Sequence, residues 1–243
     1  MTLDRILQSQ GFGTRKGCRH LIRDGEVRVN GELVTEFGAD ISTDGLLLEV
    51  SGEPWQFRAL VYLALHKPVD IECSRKPSHH PGVHSLLPAQ FLERDVQPVG
   101  RLDHDTTGLL LLSDDGAFIH AQSSPKRKVP KTYVATTHEP VTEALLLQLN
   151  QGVKLHDEPL PIAGKARALA SHQLEIILEQ GKYHQVKRML AAAGNHCDAL
   201  IRVAIGELRL DSLSLAPGQW CYLESAHLSS LRPLDGVLTS SVA

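Results

Sequence analysis

The chain has 243 residues, 42% of them apolar, with 25 Lys and Arg against 28 Asp and Glu and a formal net charge of −3. That length holds one medium domain and a small one, and the charge excludes a uniformly basic nucleic-acid binder. Its four cysteines, Cys18, Cys73, Cys197 and Cys221, are scattered and form no C-x-x-C pair, which argues against a zinc site or a disulfide framework. No apolar run approaches the roughly 20 residues of a membrane span. Residues 1–5 lack the apolar core of a signal peptide. A soluble, cytoplasmic protein with free thiols is expected.

Charge is segregated along the chain. Residues 1–29 carry Arg5, Arg15, Lys16, Arg19, Arg23 and Arg28 against Asp4, Asp24 and Glu26. Residues 116–138 carry Lys126, Arg127, Lys128 and Lys131 and no acid. Such local basic patches engage phosphates even when the total is negative.

In chain order, Thr2 can cap a first helix bearing Leu3, Ile6 and Leu7, which Gly11 and Gly13 end. Thr14 can cap a second helix that runs to about Gly25. Arg15, Arg19 and Arg23 recur on it every four residues and so share a face. Gly17 should weaken it by up to about 1 kcal/mol relative to Ala. Alternating residues flank Asn30-Gly31, a strong hairpin signal. Residues 51–58 have the composition of a linker. A strand is expected over residues 60–65, running into His66-Lys67-Pro68, and then an exposed loop over 74–82.

The short apolar run Leu109 to Leu112, bounded by Gly108 and Asp115-Gly116, has the profile of a strand buried on both faces. Beyond it the pattern predicts a helix from about 117 to before Pro125, a strand over 131–137, a helix over 141–149 and a strand over 174–178. A helix over 184–193 and strands over 200–205 and 208–210 follow. Residues after Pro233 read as a tail.

The segment Gly100-Arg-Leu-Asp-His-Asp-Thr-Thr-Gly108 resembles the signature of the pseudouridine synthases, in the branch that modifies ribosomal RNA and carries an S4-type RNA-binding domain. Two short helices followed by a hairpin are similar to that S4 domain. The resemblance divides the chain into an S4-like domain at 1–50, a linker at 51–58, a catalytic domain at 59–232 and a tail at 233–243. It implies an α+β fold: a mixed, mainly antiparallel sheet with flanking helices, an active cleft across its middle, and a flexibly tethered small domain.

The same resemblance makes Asp103 the catalytic nucleophile and Tyr133, in Lys131-Thr-Tyr133, the aromatic that stacks on uracil. Lys187, in Gly181-Lys-Tyr-His-Gln-Val-Lys-Arg-Met189, becomes the cation that pairs with the catalytic Asp, where many relatives have Arg. Leu200 would cover the uracil, and Arg101 would enter the space left by the flipped base. His184 and Gln185 are further substrate-binding candidates. Where the family usually has Asn, this chain has His66. No cofactor and no metal are implied, because the isomerisation exchanges neither electrons nor outside groups. Phosphate contacts are expected from Arg15, Lys16, Arg19 and Arg23 on one surface and from Lys126, Arg127, Lys128 and Lys131 on another.

The form Tyr183-His-Gln-Val-Lys-Arg-Met189 is similar to the small-subunit branch. The implied substrate is 16S rRNA, at uridine 516, either free or in a partly assembled small subunit, met by a monomer. Three other readings are a large-subunit rRNA synthase, a non-catalytic S4-domain assembly factor, and a two-metal nuclease built on Asp103, Asp105, Asp114 and Asp115.

Overall fold

The computed structural model describes residues 1–231. The tail expected at 233–243 lies outside the described residues. The chain begins with α1 (Leu3–Ser9) and α2 (Arg15–Arg23). Leu3, Ile6 and Leu7 fall at helical spacing, and the face they make is buried against Cys18 and Ile22. Thr14 caps α2 by accepting a hydrogen bond from the Gly17 N–H, so Gly17 sits in the first turn and not in mid-helix. Thr2 holds the N-cap place of α1, but its hydroxyl goes to Asp4 and not to the backbone.

Strands β1 (Val27–Val29) and β2 (Glu32–Leu33) form the expected hairpin, with Asn30 and Gly31 both at positive φ as a two-residue turn of this hand requires. Strands β3 (Leu47–Val50) and β4 (Glu53–Gln56) complete an antiparallel sheet of order β2-β1-β3-β4. Residues 51–58 are therefore not a linker. Ser51-Gly52 is a second hairpin turn, with both residues at positive φ, and β4 pairs with β3 along its length. Turn residues and linker residues share a composition, which misled the sequence reading. Pro54 is tolerated because β4 is an edge strand.

The small unit is docked and not loosely tethered. Gln10 is only 1% exposed. Its side-chain oxygen accepts from Trp55 Nε1 (3.2 Å), the Arg58 N–H (3.1 Å) and Arg94 Nη1 (2.9 Å), and its amide donates to the Arg58 carbonyl. Trp55 also packs edge-on to Phe12 and tilted against Phe91. A buried amide with every bond made fixes orientation, because breaking one leaves an unpaired polar group.

The larger unit contains β5 (Tyr62–Lys67), α3 (Ala89–Glu93), β6 (Gln97–Pro98), β7 (Thr106–Ser113) and α4 (Gly116–Ser123). It continues with β8 (Lys131–Thr137), α5 (Glu143–Gln151), β9 (Lys165–Ala170), β10 (Gln173–Leu178) and α6 (Gln185–Ala192). β11 (Cys197–Ile205), β12 (Leu208–Arg209), β13 (Trp220–Tyr222) and α7 (Ser225–Ser229) complete it. Sheet order is β13-β5-β7-β11-β8-β10-β9, with β6 on β7 and β12 on β11. The β7–β11 pair is parallel and the other pairs are antiparallel, so the sheet is mixed and mainly antiparallel.

β7 is the spine of this sheet. Leu109 and Leu111 enter one core with Tyr62 and Phe118, while Leu110 and Leu112 enter another with Leu63, Leu65 and Phe91. A third core lies under α5 and α6, around Leu149, Ile176 and Met189. The strand starts earlier than its apolar run, and Gly108 lies inside it. Gly108 has φ 106°, and a Cβ there would collide with the Arg202 backbone on β11. Gly108→Ala is expected to destabilise the protein by at least about 2 kcal/mol through strain and clash together. A lowered urea midpoint with unchanged slope would report it.

Candidate active site

The loop from Gly100 to Asp105 enters β7 and is held from behind by one buried ammonium. Lys67 Nζ donates to the carbonyls of Pro68 (2.8 Å), Ile71 (2.8 Å) and His104 (3.0 Å), which uses all three of its protons. Burial pushes this ammonium below the usual lysine range, opposed by the charges of Cys73, Asp105, Asp103 and Asp70. Leu102 is buried beneath the loop, and the Asp103 carbonyl accepts from the Thr106 N–H. The loop is thus rigid at the residue that matters.

The Asp103 carboxylate faces two basic groups. His184 Nε2 lies 3.3 Å from its Oδ1 and Lys187 Nζ lies 3.6 Å from its Oδ2. His184 stands just before α6 in a left-handed conformation (φ 46°) and stacks on the Tyr183 ring. Lys187 has a tighter partner, Asp105 Oδ1 at 2.5 Å. Burial pushes the Asp105 carboxyl up, but the Lys187 hydrogen bond and the charges of Lys187 and His104 outweigh it and hold the group below its ordinary range. The sequence reading paired Lys187 with Asp103 alone; the structure makes it a bridge between both acids. Among the described residues, Arg101 makes no salt bridge to Asp103 and sits exposed at the rim of the cavity.

Asp114 and Asp115 serve elsewhere. Asp114 pairs with Arg94 at 2.7 Å, and Asp115 caps α4 by accepting from the Ala117 and Phe118 N–H groups. They stand beyond the far end of β7, whose eight residues at about 3.3 Å each put them some 25 Å from Asp103. That separation removes the two-metal nuclease reading.

In front of Asp103 is a cavity of about 290 Å³, at the small end of the range for ligand sites (roughly 300–1,000 Å³). Three adjacent central strands furnish it: β7 through Thr106, β11 through Leu200 and Arg202, and β8 through Lys131 and Tyr133. Leu200 sits opposite Thr106 in the parallel pair, and Tyr133 opposite Arg202 in the antiparallel one. His184 and Gln185 close it from the start of α6. Lys187 stands behind Asp103 and outside the cavity wall.

Arg202 was missed by the sequence reading. It is 2% exposed, its Nε donates to the Leu109 carbonyl at 2.7 Å, and its Nη2 has no partner among the described residues. Gln185 Nε2 and Thr106 Oγ1 are likewise buried and unpaired. A guanidinium in the otherwise apolar run Leu200-Ile-Arg-Val-Ala-Ile205 was the available signal.

The basic surfaces are partly as expected. Lys126, Arg127 and Lys128 are exposed around a short 3₁₀ turn, and Lys16 and Arg23 are exposed on α2. Arg15 and Arg19 turn their Nε groups inward to Asp4, at 2.8 and 2.7 Å, and stay about 40% exposed. Lys131 is not part of the outer patch. It lines the cavity and donates to the Val129 carbonyl, and burial with Arg202 nearby lowers its ammonium to about 8. The His66 departure lies away from this cavity: its Nδ1 meets the Leu215 carbonyl at 2.8 Å.

Comparison with known proteins bears on this geometry. The sequence profile of RNA pseudouridylate synthases matches residues 61–192, and that of S4 domains matches residues 1–37. The chain is 35% identical over 237 residues to ribosomal small subunit pseudouridine synthase A of Vibrio cholerae, covering 95% of this chain and 99% of that protein. It is 35% identical over 242 residues to the protein of that name from Escherichia coli, covering 95% and 100%. A crystal structure of a pseudouridylate synthase superposes with a TM-score of 0.66 at 32% identity, covering 95% of this chain and 99% of that one.

Proposed function

Because the chain belongs to the RNA pseudouridylate synthase family and carries an S4 domain, we propose that it isomerises one uridine of small-subunit ribosomal RNA, uridine 516 of 16S rRNA, with Asp103 as nucleophile. The substrate is the 16S rRNA, free or in a partly assembled subunit. The names borne by the Vibrio and Escherichia relatives support the small-subunit target.

The reaction breaks the C1′–N1 bond, turns the uracil and joins C5 to C1′. C5 loses a proton and N1 gains one, so atoms and electrons balance within the nucleotide. Asp103 acts on the ribose, by attack at C1′ or by taking a nearby ribose proton; either route needs its carboxylate at the same place. Lys187 opposes its charge, and His184 Nε2 lies beside it, in a site partly closed to water. Tyr133 offers a flat surface to the uracil, and stacking of this kind is worth roughly 1–3 kcal/mol per base. Leu200 forms the apolar wall. The unpaired Gln185 Nε2 and Arg202 Nη2 are donors suited to the uracil carbonyls. Arg101, at the rim, stacks in the gap left by the extruded base, offsetting part of the few kcal/mol that flipping costs. Arg15, Lys16, Arg19 and Arg23, with Lys126, Arg127 and Lys128, hold phosphates on two separate faces.

The observation that carries this reading is the Asp103 carboxylate set between two basic groups and the Tyr133 cavity. Its test is to incubate the protein with small- and large-subunit rRNA and with assembly intermediates, then map pseudouridine. Modification at position 516 alone supports it; modification of the large-subunit RNA instead would reassign the target.

Lys131 gives a pH prediction. Its ammonium is present in the fold only below about 8. If it holds substrate, kcat/KM declines as pH rises through about 8, and Lys131→Arg removes that decline, since a guanidinium stays charged. Stability moves the other way. The unfolded chain keeps this proton to about 10.4, so unfolding costs more as pH climbs from about 8 to 10.4.

A further inference from the structure

Asp70, His80 and His104 form a cluster that the proposed reaction does not use. Among the described residues, they are the one group of three metal-ligating side chains whose donor atoms all lie within 4.8 Å of one another. Nδ1 of His80 is 3.8 Å and Nδ1 of His104 is 3.7 Å from the same oxygen, Oδ1 of Asp70. The two imidazoles lie face to face, 4.4 Å apart and 13° from parallel, so both rings present their Nδ1 edge to the carboxylate. Two donors bound to one tetrahedral ion at about 2.1 Å stand about 3.4 Å apart. The two histidine-to-Asp70 spacings exceed that by a few tenths of an ångström. Because an ion binds imidazole in the plane of the ring and the stacked planes do not meet, one ring must also turn out of the stack, for which the exposed His104 side chain has room.

The backbones of Asp70 and His104 are anchored to each other, and that of His80 separately. Lys67 Nζ ties the Pro68 and Ile71 carbonyls, on either side of Asp70, to the His104 carbonyl, and the Asp70 N–H bonds that carbonyl as well, at 2.8 Å. His80 comes from the 74–82 loop, and the Glu72 carboxylate gathers that loop by accepting from the N–H groups of Ser78, His79 and His80. The three backbone positions are therefore held before any ligand arrives, and preorganisation of this kind favours binding. Asp103 and Asp105 add negative charge on the same loop as His104.

We infer that these three residues bind one divalent transition-metal ion of the zinc, cobalt or nickel class. Two imidazoles with one carboxylate suit such ions, whereas magnesium and calcium prefer all-oxygen sites. Three protein ligands leave a fourth position to water. The ion takes no part in the isomerisation. It cross-links the 74–82 loop to the catalytic loop one residue past Asp103 and stabilises the native chain by mass action. The inference does not rest on the proposed substrate.

The test uses the full chain, stripped with chelator and titrated with Zn²⁺ and separately with Co²⁺. One saturable equivalent is expected, with a rise of several degrees in the thermal midpoint under excess Zn²⁺. Co²⁺ should give visible d–d absorption and broaden the ring-proton signals of His80 and His104. Asp70→Asn, His80→Gln and His104→Gln should each weaken binding at least about tenfold, while His79→Gln, beside His80, should not. Circular dichroism confirms that the variants fold, and the cobalt broadening localises the ion in the unmutated chain. Absence of saturable binding, equal binding by all three variants, or broadening of other histidines only would overturn the inference.

Discussion

Replacing Asp103 with Asn is expected to lower pseudouridine formation by at least about 10³-fold, some 4 kcal/mol of transition-state stabilisation, with RNA affinity changed less than about threefold. The amide has the carboxylate's shape but not its charge or nucleophilicity. Little else depends on it. Lys187 keeps its 2.5 Å partner Asp105, so the start of α6 stays tied to the loop that carries residue 103. Lys67 still holds that loop from the other side. The basic faces proposed to hold phosphates lie on α2 and around the 125–127 turn, away from this carboxylate. Single-turnover assays paired with fluorescence anisotropy on the same RNA separate the two quantities. Retained activity would place the nucleophile elsewhere, and a retained biological role without activity would favour an assembly factor.

Lys67→Met should cost more in stability than any surface change. The side chain is fully buried and satisfies three carbonyls. Methionine fills a similar volume but donates nothing. Leaving buried acceptors unpaired costs about 1–3 kcal/mol each, and relaxation of the loop returns part of it, so about 3–5 kcal/mol is expected. For a chain of this size that is a fall of roughly 10 °C in thermal midpoint. Activity should fall in step at temperatures where the variant is still folded, because the His104 carbonyl, left with the Asp70 N–H alone, adjoins Asp103. Lys67→Arg should not restore it, since a planar fork does not fit three converging carbonyls. Calorimetry and single-turnover rates on both variants check this.

Much of this was readable from the residues. The apolar run at 109–112 is buried on both faces as its pattern implied, the Asn30-Gly31 turn is where it was expected, and the strand at Lys131–Thr137 has the bounds its alternation gave. Failures have physical causes. β9 is an edge strand with little buried surface, and its apolar positions are mostly alanine, a weak strand former, so its short alternation does not mark it. β4 was hidden because Ser-Gly-Glu-Pro serves equally as turn and as linker. At the site, Asp103, Tyr133, Leu200, His184 and Gln185 do converge on one cavity, with Lys187 behind the acid. The buried charges went unseen. Lys67 and Arg202 are paired with backbone carbonyls, and the partners that fix their roles, His104 and Leu109, are distant in sequence, so no local pattern encodes them. Asp105 was weighed only as a metal ligand because its bond to Lys187 spans 82 positions.

Uridine tritiated at C5 offers the most direct measurement. Joining C5 to C1′ must expel that hydrogen, so each isomerised base releases one tritium to water. With purified protein and small-subunit rRNA carrying this label, release should plateau at one tritium per RNA, and the Asp103→Asn protein should release none. Release at the same rate from both proteins, or none from a correctly folded unmutated chain on any rRNA substrate, would contradict a carboxylate-driven isomerisation in this cavity.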